Sequence, residues 1–122
     1  VGASIGANLA LDFLRHYPMT AGAVLLSPGL NYRGVDADTA ARAIAMEMAK
    51  GIGVQRKVLL AAGGANDEYS ARSIQQLAAI LGPAATVRMF GNAGHGTAIF
   101  DGAPGFLEEV AEWIVRPTGK NK

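Results

Sequence analysis

The chain has 122 residues, enough for one domain near the small end of the usual range, with 50% hydrophobic and 17% charged residues. That balance excludes an intrinsically disordered chain, and a net charge of +1, from eleven basic and ten acidic side chains spread along the sequence, excludes the basic stripe of a nucleic-acid binder. The absence of cysteine excludes disulfides, thiolate metal sites and a cysteine nucleophile, and leaves the redox compartment open.

In chain order the pattern alternates strand and helix, which predicts α/β layers and a mostly parallel sheet flanked by helices. Val1 reads as the last residue of a strand whose body is missing. Residues 5–16 read as a helix, with Leu9 and Phe13, joined by Ala10 and Leu14, at three- and four-residue spacing, and Pro18 as its stop. Ala23-Val24-Leu25-Leu26 is a continuous apolar run, the signature of a parallel strand covered on both faces. With only Val1 to represent its neighbour, this strand is expected to present an unpaired edge. Residues 30–37 read as a loop. Asp38 is the expected N-cap of a helix running to Lys50, with Ala41, Ile44, Ala45 and Met48 on one face and Gly51 as the stop. Val58-Leu59-Leu60-Ala61-Ala62 is the second buried strand. Ser70 is the expected cap of the next helix, whose Ile74, Leu77, Ala78 and Leu81 fit a 3.6-residue period, and Gly82-Pro83 ends it. Residues 86–90 alternate more, which predicts a strand near a sheet edge. Pro104 suits the first turn of a last helix with Phe106, Leu107, Val110, Trp113 and Ile114 on its apolar face, and residues 118–122 read as a frayed polar tail. The uncharged run His16 to Tyr32 is broken by prolines and glycines and falls short of the ~20 apolar residues of a spanning helix.

Three places can carry chemistry. Gly2-Ala3-Ser4-Ile5-Gly6 fits G-x-S-x-G, in which a serine sits on a sharp turn from strand to helix and glycines two residues to either side relieve crowding. The helix start directs free N–H groups at the site, so the Ile5 N–H is a candidate oxyanion donor. The plainer reading makes Ser4 only an N-cap. Gly94-His95-Gly96 places an imidazole on a loop flanked by glycines, with a surface turn as the plainer reading; His16, before Tyr17-Pro18, reads as structural or exposed. Asp67 lies just past the second buried strand, with Glu68 as the rival acid and an ordinary first-turn carboxylate as the plainer reading. Ser4, Asp67 and His95 fall on three consecutive strand ends, where open α/β sheets assemble their sites, and in the chain order Ser, Asp, His. Asp36, Asp38 and Glu47 form no metal-ligand pattern. Met46 and Met48 diverge on their helix. Gly63-Gly64 lacks the lysine and Ser/Thr of a phosphate loop, and Tyr69 either lines the site or packs.

The chain resembles the C-terminal half of an α/β-hydrolase, of the small dienelactone-hydrolase-like esterase type. Four segments carry the likeness: residues 1–10 around Ser4, Val24 to Gly29, Val58 to Ser70 with Asn66-Asp67-Glu68, and Gly91 to Gly96 around His95. A closing helix with Trp113-Ile114 adds to it. Dienelactone hydrolases proper use a cysteine nucleophile, so Ser4 points to a serine esterase. The resemblance implies an α/β-hydrolase-like fold over residues 1–122 as a single domain, lacking the N-terminal strands and the second oxyanion donor that they supply. It implies Ser4 as nucleophile, His95 as general base, Asp67 as its orienting acid, Ile5 as oxyanion donor, no metal or organic cofactor, and a small-molecule ester as substrate. Neither nucleic acid nor membrane is expected as a partner. Self-association, or pairing with a missing N-terminal half, is expected instead of a well-behaved monomer. The competing reading is a non-catalytic or incomplete fragment serving as an assembly or interaction module.

Overall fold

The computed structural model describes residues 1–117, in the order β1 (Gly2–Ala3), α1 (Ile5–His16), β2 (Gly22–Leu26), β3 (Asn31–Tyr32), β4 (Val35–Asp36), α2 (Ala37–Ala49), β5 (Lys57–Ala62), α3 (Glu68–Leu81), a 3₁₀ turn Gly82–Ala84, β6 (Ala85–Met89), α4 (Ala98–Gly102) and α5 (Phe106–Val115). The predicted tail at 118–122 lies outside the described residues. Four strands form one parallel sheet in the order β1-β2-β5-β6, flanked by helices on both faces.

The continuous apolar runs explain the layering. Side chains alternate across a strand, so a run that is apolar throughout must be covered on both sides. Ala23 and Leu25 of β2, with Val58, Leu60 and Ala62 of β5, pack against Leu11 and Leu14 of α1, Ile44 of α2, and Ile74 and Leu77 of α3. Val24 and Leu26, with Leu59 and Ala61, face the opposite layer of Ile99, Phe106, Val110 and Trp113. The alternating strand β6 lies at the sheet edge, with Val87 and Met89 exposed.

Several expectations are corrected. The N-cap of α2 is Asp36, not Asp38. An N-cap needs extended backbone, which Asp36 has at the end of β4, and its carboxylate accepts from the Thr39 N–H at 3.2 Å. Asp38 already lies within the helix and pairs with Arg42. Ser70 is a buried residue inside α3, and the capping position falls to Asp67. The stretch read as a loop folds into a small antiparallel hairpin, β3–β4, held to α1 by the buried Asn8 side chain, which donates to the Gly29 and Val35 carbonyls and accepts from the Gly29 N–H. The short helix α4 went unpredicted, and α5 starts two residues beyond Pro104.

Leu9 and Phe13 of α1 are exposed by about half; the face that meets the sheet is Ala7, Asn8, Leu11 and Leu14. Helix α1 carries a second apolar stripe, Ile5, Leu9 and Phe13, continued by Tyr17 just past its end, and periodicity alone cannot choose between two stripes. On α5, Leu107 and Ile114 are likewise exposed. The β2 edge is not wholly unpaired: Gly2 and Ala3 pair with Leu25 and Leu26 in parallel register, and Val1 itself lies outside the strand.

Candidate functional site

The C-terminal ends of all four sheet strands point to one end of the molecule, and the polar side chains converge there. β1 runs into Ser4 and then directly into α1. That abrupt change of direction holds Ser4 at φ 57°, ψ −124°, in the region of positive φ that non-glycine residues rarely adopt. Such backbone strain costs on the order of 1–3 kcal/mol and persists only where the surroundings over-determine it. Here the Ser4 N–H donates to the Leu26 carbonyl at 2.8 Å, tying the turn to the end of β2. Gly2 is required by close approach, because a Cβ there would lie 2.1 Å from the Gly6 carbonyl oxygen. The other glycine of the motif does not have the expected role: a Cβ on Gly6 would meet nothing within 4 Å.

Ser4 occupies the N-cap position of α1, yet its hydroxyl makes no capping bond. The hydroxyl lies 3.0 Å from His95 Nε2. His95 Nδ1 lies 2.6 Å from Asp67 Oδ1. Asp67 repeats the pattern. It occupies the N-cap position of α3 without capping it, and its carboxylate is turned back over the end of β5. Asp67 Oδ2 accepts from the Gly63 N–H at 3.0 Å and from the Ser27 hydroxyl at 2.5 Å. An ionised carboxylate only accepts. The imidazole therefore donates from Nδ1, and in its neutral form it offers the Nε2 lone pair to the Ser4 hydroxyl. Serine, imidazole and carboxylate stand hydrogen-bonded in series, although Ser4 and His95 are 91 residues apart.

The loop that carries His95 is clamped from below. The Ala93 N–H donates to the Gly63 carbonyl at 2.7 Å, and the Gly94 N–H to Asn66 Oδ1 at 3.0 Å. The loop sits so close to the end of β5 that a Cβ on Gly63 would come 1.8 Å from the Gly94 carbonyl oxygen. Gly63 thus does more than turn the chain out of the strand: it is the floor on which the histidine loop rests. Exposure is graded across the series, with the Asp67 side chain 3% accessible and that of His95 46%. A buried acid behind an imidazole that faces solvent is an arrangement open to an incoming molecule.

Ile5 is the first residue of α1, so its N–H has no intrahelical acceptor and lies beside Ser4 at the positive end of the helix. Glu68, the rival acid, is 78% accessible and pairs with Arg72 one turn along α3, away from His95. His16 is exposed at the end of α1, where Nδ1–H donates to the Asp12 carbonyl. Tyr69 packs against the β3–β4 hairpin, with its hydroxyl bonded to the Asn31 backbone and its ring edge-on to Tyr32. Asp36, Asp38 and Glu47 serve Thr39, Arg42 and Arg56 respectively.

The three strand ends are not consecutive. β2 lies between β1 and β5, and its end carries Ser27, a residue of the Val24–Gly29 segment to which the sequence assigns no site role. Ser27 is fully buried, also at positive φ (55°), and its Oγ accepts from the Gly96 N–H at 2.7 Å while donating to Asp67. The available signal was positional: a hydroxyl residue at the C-terminal end of a buried parallel strand. Comparison with family models, curated proteins and solved structures returns no match for this chain.

Proposed function

We propose that the chain is a serine hydrolase of the α/β-hydrolase kind, acting on small carboxylic esters through an acyl-enzyme. One observation carries the reading. Ser4 and Asp67 are of the residue types that cap helices and stand at helix caps, yet both side chains are committed to opposite nitrogens of the same imidazole.

In the reaction, Ser4 Oγ attacks the acyl carbon as its proton passes to His95 Nε2. Asp67 keeps the ring in the Nδ1–H tautomer and stabilises the imidazolium that forms. The carbonyl oxygen becomes an oxyanion facing the Ile5 N–H, where a preorganised donor is worth more than a solvent one. The imidazolium then protonates the departing alkoxide. Water, deprotonated by the same nitrogen, releases the acid and restores Ser4. Acyl transfer follows the same course with another nucleophile in place of water. The exposed imidazole and the small β3–β4 hairpin, in place of a large lid, favour short acyl chains over long ones. This scheme needs no metal or organic cofactor.

Labelling with a fluorophosphonate, followed by intact-mass and peptide mass spectrometry, tests the reading. Stoichiometric modification at Ser4, lost in Ser4→Ala, is the expected result. A cooperatively folded chain that stays unlabelled and does not turn over p-nitrophenyl acetate would overturn it in favour of a non-catalytic module.

A further inference from the structure

Ser27 is a buried polar side chain whose position no local structural need explains. It follows β2 at φ 55°, a conformation that favours glycine, and it is fully buried. Two hydrogen bonds engage its hydroxyl, and their directions are fixed by chemistry. The Gly96 N–H can only donate, so at 2.7 Å the Ser27 oxygen accepts. The single hydroxyl proton is then left for Asp67 Oδ2 at 2.5 Å, and the carboxylate can only accept. A one-way chain results, running from the Gly96 N–H through Ser27 Oγ–H to Asp67. The other carboxylate oxygen receives the His95 Nδ1–H.

We infer that Ser27 is a positioning residue that locks the Asp67 carboxylate and the His95 loop into register through one hydroxyl. The inference rests on the hydrolase reading for its catalytic consequence, but not for its geometric one. Without Ser27 the Gly63 N–H is the single donor named on Oδ2, whereas the second donor there fixes the plane in which Oδ1 faces the imidazole. On the other side, Gly96 immediately follows His95, so anchoring its N–H sets where the imidazole starts from. The end of β2 lies between the Ser4 end and the Asp67 end of the sheet, and its Ser27 hydroxyl bonds the carboxylate and the residue after His95 at once.

Ser27→Gly separates this role from a merely structural one. Glycine adopts positive φ without strain, so if Ser27 served only the turn, the variant would keep full activity. As a positioning residue, its loss lowers kcat by about tenfold to a hundredfold with KM little changed, as expected for a hydrogen bond to a charged group that acts in the transition state. Ser27→Cys, which keeps a weak donor, gives an intermediate kcat and carries the comparison if the glycine variant does not fold. The second readout is independent of turnover. Nitrogen-15 chemical shifts of the His95 ring, assigned by their loss in His95→Gln, report one Nδ1–H tautomer in the parent chain and a mixture in Ser27→Gly. A folded Ser27→Gly with parental kcat and an unchanged tautomer overturns the inference. A parent chain that neither labels nor turns over any ester overturns the hydrolase reading instead, and the tautomer measurement alone then decides for or against Ser27.

Discussion

The two ends of the sheet differ in a way that cavity size conceals. At the N-terminal strand ends lies a cavity of about 820 Å³, bordered by Arg56, Lys57, Thr86, Glu112 and Trp113. At the C-terminal ends the polar side chains gather around the half-exposed His95 instead. Both ends bury charge, but they use it differently. Arg56 is fully buried and braces the fold: it donates to the Leu14 carbonyl at 2.8 Å and to Glu47 at 3.3 Å, joining the end of α1 to α2. Lys57 reaches the carbonyls of Trp113 and Arg116 at the end of α5 and lies over the Trp113 ring. Each of these charges meets backbone carbonyls or a single opposite charge. At the other end the polar groups point at one another in series, and two non-glycine residues there, Ser4 and Ser27, are held at positive φ. Convergence and strain, not volume, are what set the C-terminal end apart and carry the hydrolase proposal.

That contrast breaks most sharply at Ser4. Ser4→Ala should lower kcat on a p-nitrophenyl ester by on the order of a million-fold, the usual effect of removing such a nucleophile. The midpoint of thermal unfolding should barely move, since the hydroxyl caps nothing. More than a few per cent of residual activity would show that the nucleophile lies elsewhere.

Next in size, Asp67→Asn should reduce kcat by about three to four orders of magnitude by favouring the wrong imidazole tautomer. Glu68→Gln, on the exposed first turn of α3, should change it by less than about tenfold. Steady-state kinetics on the pair would reveal a misassigned acid if the order were reversed.

At the opposite end the expected signature inverts. Arg56→Met should leave kcat and KM where they are and cost about 2–3 kcal/mol of stability in urea denaturation, because the Leu14 carbonyl and a partly buried Glu47 lose their partner. A large loss of activity in a stably folded Arg56→Met would dissolve the distinction between a bracing end and a reacting end.

The smallest effect concerns Lys57, whose pKa is pushed below its ordinary 10.5, first by burial and then by the nearby Arg116. Between the lowered value and 10.5 the unfolded chain holds a proton that the folded chain has released, so stability contributed by this group rises with pH through that window. Lys57→Met should flatten this alkaline slope in denaturation curves taken across it, with activity unaffected. A slope unchanged in the variant would assign it to other groups.

Ser4, Asp67 and His95 were legible in the sequence for separate local reasons. A G-x-S-x-G turn, an acid after an apolar strand and a histidine between glycines each announce a strand end, and parallel strands bring their like ends together. Ser27 and Asn8 were not legible. Each is a small polar residue in an ordinary local setting, and its partners lie far along the chain, 40 residues away for Ser27 and Asp67 and 21 and 27 for Asn8 with Gly29 and Val35.

What the sequence determined by itself is the set of properties that belong to one segment. Helix α1 spans residues 5–16 as its periodicity predicts, and the uniform apolar character of β2 and β5 required two covering layers. Tertiary structure decided everything that needed a choice between equals. It chose the Ala7–Leu11–Leu14 stripe of α1 over the Leu9–Phe13 stripe, because only the former faces the sheet once β1 has set the helix direction. It selected Asp36 over Asp38 as a cap through the β3–β4 hairpin, and it made Ser27 part of the site by placing β2 between β1 and β5. Periodicity and propensity are summed along the chain, whereas these outcomes depend on which strand lies beside which, and strand order is set by packing across the whole sheet.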